Sequence, residues 1–169
     1  MIYNFPTVTA GLNLDSDTIA TLAMHPSIVG IKLSCCDIGK LTRLTSSFSP
    51  SEFAVYPGNS AVFAPALLCG AAGLIGASVN LFPKVHSRIY ALWKEGKPNE
   101  AMKLQTKAAH SDWAIGKLGG TGALKGLVSI NFGYGQGRVR APLMGVEASK
   151  LSNLEGTVLG EMIELEKGL

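Results

Sequence analysis

A lysine closes a short apolar run, Val29-Gly30-Ile31-Lys32-Leu33-Ser34. The run reads as a buried strand, and burying an ammonium there costs several kcal/mol, on the order of the whole benefit of burying a large apolar side chain. Two outcomes relieve that cost. The side chain snorkels out of the strand end, or the desolvated amine gives up its proton and becomes a nucleophile able to form a Schiff base with a carbonyl. The N-terminus bears on that choice. Ile2-Tyr3-Asn4-Phe5-Pro6 lies one βα unit upstream of Lys32. In a parallel α/β protein, strand ends spaced in this way sit side by side on one face. A tyrosine beside an imine-forming lysine is a ready proton shuttle.

The rest of the chain alternates strand and helix signals. Asp15 or Ser16 caps a helix running to about Met24, with Ile19, Leu22 and Ala23 as its apolar stripe and Pro26 as its stop. Ile28–Leu33 is the lysine strand. A helix over Ile38–Ser47 buries Ile38, Leu41 and Leu44 and turns Lys40 and Arg43 to solvent. Phe53–Tyr56 is a third strand, ending at Pro57-Gly58-Asn59, with Asn59 capping a helix from Ser60 to Cys69. Gly58 serves either as a close backbone contact to a ligand or as a strand-to-helix turn. Gly73–Val79 is the next strand.

From Ala54 to Phe82 there is no charged residue, long enough for a membrane span of about 20 residues. Pro57, Pro65, Asn59, Asn80 and glycines at 70, 73 and 76 interrupt it. Buried strand, helix, strand is the better reading, as both faces of a parallel sheet are covered. Helices follow at Pro83–Glu95, Asn99–Leu118, Ala123–Asn131 and Ser152–Lys167. Gly133-Tyr134-Gly135-Gln136-Gly137-Arg138 looks like a phosphate cradle, but no strand precedes it and no dinucleotide fingerprint is completed. It reads as a structural loop.

Net charge is +3, and no basic stripe interleaves with aromatics, which argues against a nucleic-acid partner. Cys35, Cys36 and Cys69 have no Cys-x-x-Cys spacing, and His25, His86 and His110 form no ligand motif. Buried, reduced thiols are expected, and with no basic region before an apolar run at the start, a cytoplasmic setting. No metal site, cofactor or membrane partner is expected.

Tyr3-Asn4-Phe5-Pro6 together with Gly30-Ile31-Lys32, at this separation, resembles the dihydrodipicolinate synthase / N-acetylneuraminate lyase family of pyruvate-dependent class I aldolases. The likeness continues through Gly58, Gly73–Asn80, Phe132-Gly133-Tyr134 and Arg140-Ala141-Pro142-Leu143. The resemblance implies a (β/α)8 barrel. That fold typically needs about 250 residues, and this chain has 169. It therefore reads as a partial α/β barrel, about strands five to eight with their helices over residues 1–95, and a C-terminal helical extension over 96–169 packed on it as one unit. The family's Thr-Thr pair, which helps to hold the pyruvate carboxylate, belongs to the first half.

By resemblance Lys32 is the Schiff-base nucleophile, Tyr3 the proton donor and acceptor, and Gly58 and Ile75 border the substrate, their neighbouring amides helping to hold pyruvate. The implied reaction is reversible cleavage of a 2-keto acid to pyruvate and an aldehyde. It needs no cofactor, since the protonated imine is itself the electron sink. The family's synthases carry an arginine two residues after the proline; Val8 stands there, which removes a bidentate carboxylate clamp. That departure argues against lysine biosynthesis. Leu33, His25-Pro26 and the Phe132–Leu143 stretch look most like the fungal aldolases for 2-keto-3-deoxy sugar acids, which we favour for their hydroxyl-rich acceptor, and the 4-hydroxy-2-oxoglutarate aldolases. The resemblance also implies a homo-oligomer. Two rival readings are a truncated paralogue acting as a binding or assembly module, and a fragment from a mis-predicted gene start.

Overall fold

The computed structural model describes residues 1–169. They divide into two compact units, Met1–Gly76 and Ala77–Leu169. The helix after Pro83 therefore groups with the later helices, whereas the sequence reading drew its boundary after Glu95.

The first unit is built from βα repeats. Strands β1 (Ile2–Asn4), β2 (Gly30–Leu33) and β3 (Ala54–Pro57) form a parallel sheet in chain order. Helices α1 (Ser16–Ala23) and α2 (Ile38–Ser47) join consecutive strands, and α3 (Phe63–Leu68) follows β3. This is the repeat of a (β/α)8 barrel, and the fold is a partial one. The helices start where local chemistry demands. Asp15 accepts the Thr18 amide at 2.8 Å and Asp37 the Lys40 amide at 2.8 Å, each satisfying an orphan donor of a first turn. Asn59 caps the 3-10 turn Ser60–Val62 that leads into α3, accepting from Ala61 at 2.7 Å.

Alternation along the strands sends Ile31, Leu33 and Val55 into one apolar core with Ile19, Leu41, Leu44, Phe53 and Ala66. The intervening side chains point to the opposite face. In register there, Tyr3 pairs with Lys32 and Lys32 with Tyr56, one row across three strands.

The expected strand Gly73–Val79 is only partly realised. Residues 71–76 run beside β3, with the Ala72 amide donating to Val55 O at 3.0 Å and the Ile75 amide to Pro57 O at 3.2 Å. Ser78–Asn80 is then a 3-10 turn. No helix is long and apolar enough to cross a membrane.

The second unit is helical: α4 (Pro83–Lys94), α5 (Pro98–Leu118), α6 (Thr121–Phe132), α7 (Ala148–Ser152) and α8 (Val158–Gly168). The single helix expected over Ser152–Lys167 is two. The chain folds back between them so closely that a Cβ on Gly160 would collide with the Leu154 carbonyl, and Thr157 caps the new start through the Gly160 amide at 3.2 Å. The start of α4 has no cap of its own. Buried Glu166 on α8 supplies one, its two carboxylate oxygens accepting the Lys84 and Val85 amides at 2.9 Å each. The glycine loop after α6 is tied down by hydrogen bonds. Tyr134 Oη donates to Asn80 O at 3.0 Å, Ser129 Oγ to Gly135 O at 3.1 Å and Lys125 Nζ to Arg138 O at 2.9 Å.

Candidate active site

The row Tyr3–Lys32–Tyr56 lies on the sheet face opposite the helices. Lys32 Nζ stands 4.3 Å from the centroid of the Tyr3 ring, so the amine and the phenol meet across two adjacent strands. Ser34 completes the cluster: its Oγ lies 3.5 Å from Tyr3 Oη, at the limit of a hydrogen bond. Tyr3 also stacks, tilted, on Phe5 with centroids 5.6 Å apart. The amine is half-buried and Tyr3 is 50% exposed. The closed, desolvated pocket expected for Lys32 is therefore not formed within this chain. Helices cover one face of the sheet, and the lysine is on the other.

Sequence reasoning missed Tyr56 and Ser34. The period-two rule could have found both. Tyr56 falls in register with Lys32, and Ser34 is the next residue on the lysine's side of its strand. Tyr56 is half-buried, and Gly73 gives its ring room: a Cβ there would lie 3.4 Å from Tyr56 Cε1.

Gly58 is where the expected turn is, but its backbone does not need a left-handed φ. Space is what demands glycine. A Cβ on Gly58 would overlap Ser34 Oγ and lie 2.8 Å from Ser34 Cα. The Gly58 amide donates to Leu33 O at 2.7 Å, closing the ends of β2 and β3. Ile75 sits on the segment beside β3, half-exposed, its amide bonded to Pro57 O. Any amide that holds pyruvate here is therefore a neighbour of Gly58 and Ile75, as expected of the amides near them, and not their own. Both N–H groups are committed to neighbouring strands, which leaves carbonyls and side chains to meet a ligand at these positions.

Behind the row is a polar cluster that the sequence did not suggest. Asn4 is buried, donating through Nδ2 to Asn13 Oδ1 at 2.9 Å and accepting the Leu14 amide on Oδ1 at 3.1 Å. Lys40, expected on the solvated face of α2, is instead only 3% exposed. Its ammonium donates to Asn13 Oδ1 at 2.6 Å and to Leu14 O at 2.5 Å. The helix turns it inward because the loop after β1 presents two acceptors there. Arg43 does stay at the surface, its Nε donating to Ser16 Oγ at 2.8 Å.

The remaining candidates are dispersed. Cys35 and Cys69 pack partly buried on the apolar core, but Cys36 is exposed, with φ +57°, so the expectation of three buried thiols fails there. His25 and His110 are exposed, while His86 is buried, its Nδ1 2.6 Å from Phe82 O. Burial pushes the His86 imidazole below its ordinary range, against the opposing pull of Phe82 O, Asp112 and Glu166. Val8, on the 3-10 turn Pro6–Val8, is exposed and offers no donor for a carboxylate.

The model of the dihydrodipicolinate synthetase family matches residues 1–159. A protein of Emericella nidulans named as a mitochondrial 4-hydroxy-2-oxoglutarate aldolase is 38% identical over 169 residues, which is 100% of this chain and 53% of the relative. An L-threo-3-deoxy-hexylosonate aldolase of Hypocrea jecorina is 32% identical, across 100% of this chain and 55% of that protein. The crystal structure of a dihydrodipicolinate synthase family protein from Coccidioides immitis superposes with a TM-score of 0.82 at 36% identity, over 99% of this chain and 55% of that one. The chain spans about half the length of the curated relatives it matches.

Proposed function

The chain belongs to the dihydrodipicolinate synthetase family, and from that premise we propose that it carries the imine-forming centre of a class I aldolase, reversibly cleaving a 4-hydroxy-2-oxo acid to pyruvate and an aldehyde. The observation that carries this reading is the pairing of Lys32 with Tyr3, amine 4.3 Å from the phenol ring on the neighbouring strand.

The chemistry follows from that pair. The Lys32 amine attacks the C2 carbonyl, and the carbinolamine hydroxyl takes a proton from solvent and leaves as water, which gives a protonated imine. The Tyr3 oxygen takes the C4 hydroxyl proton while its own proton passes by way of Ser34 to solvent. The C3–C4 bond then breaks, its electrons moving into the enamine while the imine nitrogen absorbs the charge, and the aldehyde departs. Tyr3 gives a proton to C3, and water hydrolyses the imine to pyruvate and the free amine, the proton set free going back to solvent. Such proton transfer is worth about 10²–10⁴-fold in rate. Ser34, beside the phenol, is a hydroxyl to relay or orient that proton.

Both branches of relatives fit one substrate class, a 2-oxo acid with a hydroxyl at C4. Cleavage of a 4-hydroxy-2-oxoglutarate yields glyoxylate with pyruvate, and cleavage of a 3-deoxy sugar acid yields a hydroxyaldehyde. The missing donor at Val8 favours the hydroxyl-rich acceptor. We place the protein in a reducing compartment that suits three free thiols, the cytoplasm by the sequence reading. A relative is named mitochondrial, so fractionation of cells carrying the tagged protein distinguishes the two. We expect a homo-oligomer, read by analytical ultracentrifugation.

Borohydride trapping with pyruvate, read by intact mass and peptide mapping, tests the central reading. A reduced pyruvate adduct on Lys32, absent from Lys32→Arg, is the expected result. No adduct on protein shown by circular dichroism to be folded overturns it in favour of a non-catalytic binding or assembly role.

A further inference from the structure

We propose that Lys40 is a positioning residue for the chemistry at Lys32, acting through a closed ring of hydrogen bonds on the strand end that bears Tyr3. This rests on the aldolase reading.

The ring has four members. Lys40 Nζ donates to Asn13 Oδ1 and to Leu14 O; Asn4 Nδ2 donates to the same Asn13 oxygen; the Leu14 amide returns to Asn4 Oδ1. Asn4 follows Tyr3 directly, and its carbonyl accepts the Ser34 amide at 2.9 Å, two residues past Lys32. Lys40 stands in the first turn of α2, the helix that follows the lysine strand. The unit that supplies the nucleophile thus reaches back to grip the loop leaving the tyrosine strand.

Two features single Lys40 out from ordinary packing. First, a lysine 3% exposed whose two hydrogen-bond acceptors are both neutral is costly to bury, and a helix that needed only to pack would place an apolar residue there. Its charge is felt nearby: Asp15 is held below the usual carboxylate range, mainly by the Thr18 amide, with Lys40 adding to it. Second, the Tyr3 ring has Phe5 and Lys32 beside it, but little holds the hydroxyl itself. The residue is half-exposed, and its hydroxyl has only the 3.5 Å approach of Ser34. A proton shuttle works only within a fraction of an ångström of its productive position. The backbone at Asn4 must supply that precision, and Lys40 locks it.

The test uses the whole 169-residue chain and separates two steps. Borohydride trapping reads imine formation, which needs Lys32. Exchange of pyruvate methyl protons for deuterium, followed by proton NMR, reads removal of a C3 proton from the imine, which needs the shuttle. In K40M we expect trapping within about twofold of the parent and exchange slower by about tenfold or more, the scale of a small misplacement of a catalytic group. Lys40→Arg, which keeps a cationic donor, should restore most of the exchange. Should K40M fail to fold, Asn13→Ala carries the same test, since it cuts the ring while sparing the bond to Leu14 O. A K40M/N13A double variant no slower than the worse single one would confirm that both act through one ring. Exchange unchanged in K40M and N13A, or falling only in step with trapping, overturns the proposal. No adduct in the parent protein overturns the aldolase reading and this proposal with it.

Discussion

In Met1–Gly76 buried Asn4 and Lys40 meet at the end of a strand, and in Ala77–Leu169 buried Glu166 sits at the start of a helix. Asn4 and Lys40 close a ring behind Tyr3 and Lys32. Glu166 closes nothing but the first turn of α4, and Ser78 Oγ donates to Asp112 Oδ1 at 2.8 Å in the same neighbourhood of the chain. A helix start has orphan amides that any carboxylate can satisfy. The ring instead ties a strand end to the loop before α1 and to the first turn of α2. The contrast predicts that polar substitutions in the first unit cost activity, and those in the second cost stability.

The sharpest test is Lys32→Arg. Trapping should vanish and cleavage should fall by at least about 10³-fold, because no other amine stands in the row. Tyr3→Phe comes next. Cleavage should drop by about 10²–10⁴-fold while the Lys32 adduct persists, since the phenol moves protons and does not bind the carbon. If the two losses always travel together, the division of labour along the row is wrong.

Gly58→Ala probes where activity and stability meet. The added methyl must displace Ser34, backbone included, so urea denaturation should show a loss of about 1–3 kcal/mol. Ser34 would move away from Tyr3, and cleavage should fall as well. Glu166→Ala is the counterpart in the helical unit. It strips the two amides at the start of α4 of a charged acceptor, at a cost of about 1.5–3 kcal/mol. Trapping at Lys32 should be unchanged; an adduct lost along with the cap would break the comparison.

The smallest effect is a pH dependence. Burial holds the His86 pKa below its unfolded value of 6.5. As pH falls past that value the unfolded chain takes up a proton that the folded chain resists. The stability present above it is therefore lost progressively down through the folded pKa. Thermal unfolding between pH 8 and 5 should show this decline, and His86→Gln should flatten it without altering the high-pH limit. Stability that rises on acidification would mean that the buried imidazole is charged.

Much of this molecule is legible residue by residue. Asp15, Asn59 and the period of Ile38, Leu41 and Leu44 announce their helices because capping and amphipathicity are decided within a few residues. The candidate site was legible as far as the pairing of Lys32 with Tyr3, one residue from each of two strand ends. Tyr56 and Ser34 needed the register, which pairs strands far apart in the chain. Lys40 and Arg43 look alike on a helical wheel; only the acceptors offered by Asn13 and Leu14 turn one inward.

By itself, then, the sequence determined the alternation of strand and helix, the starts of the helices, and the presence of a lysine and a tyrosine at neighbouring strand ends. These follow from side-chain chemistry acting over one turn or one strand. The tertiary structure alone decided that Gly58 is glycine to clear Ser34, that its amide and that of Ile75 are spent on the sheet, and that Glu166 caps a helix 82 residues away from it. Each depends on groups distant in the chain meeting within a few ångströms, and the free energy of such contacts exists only once the fold has brought them together.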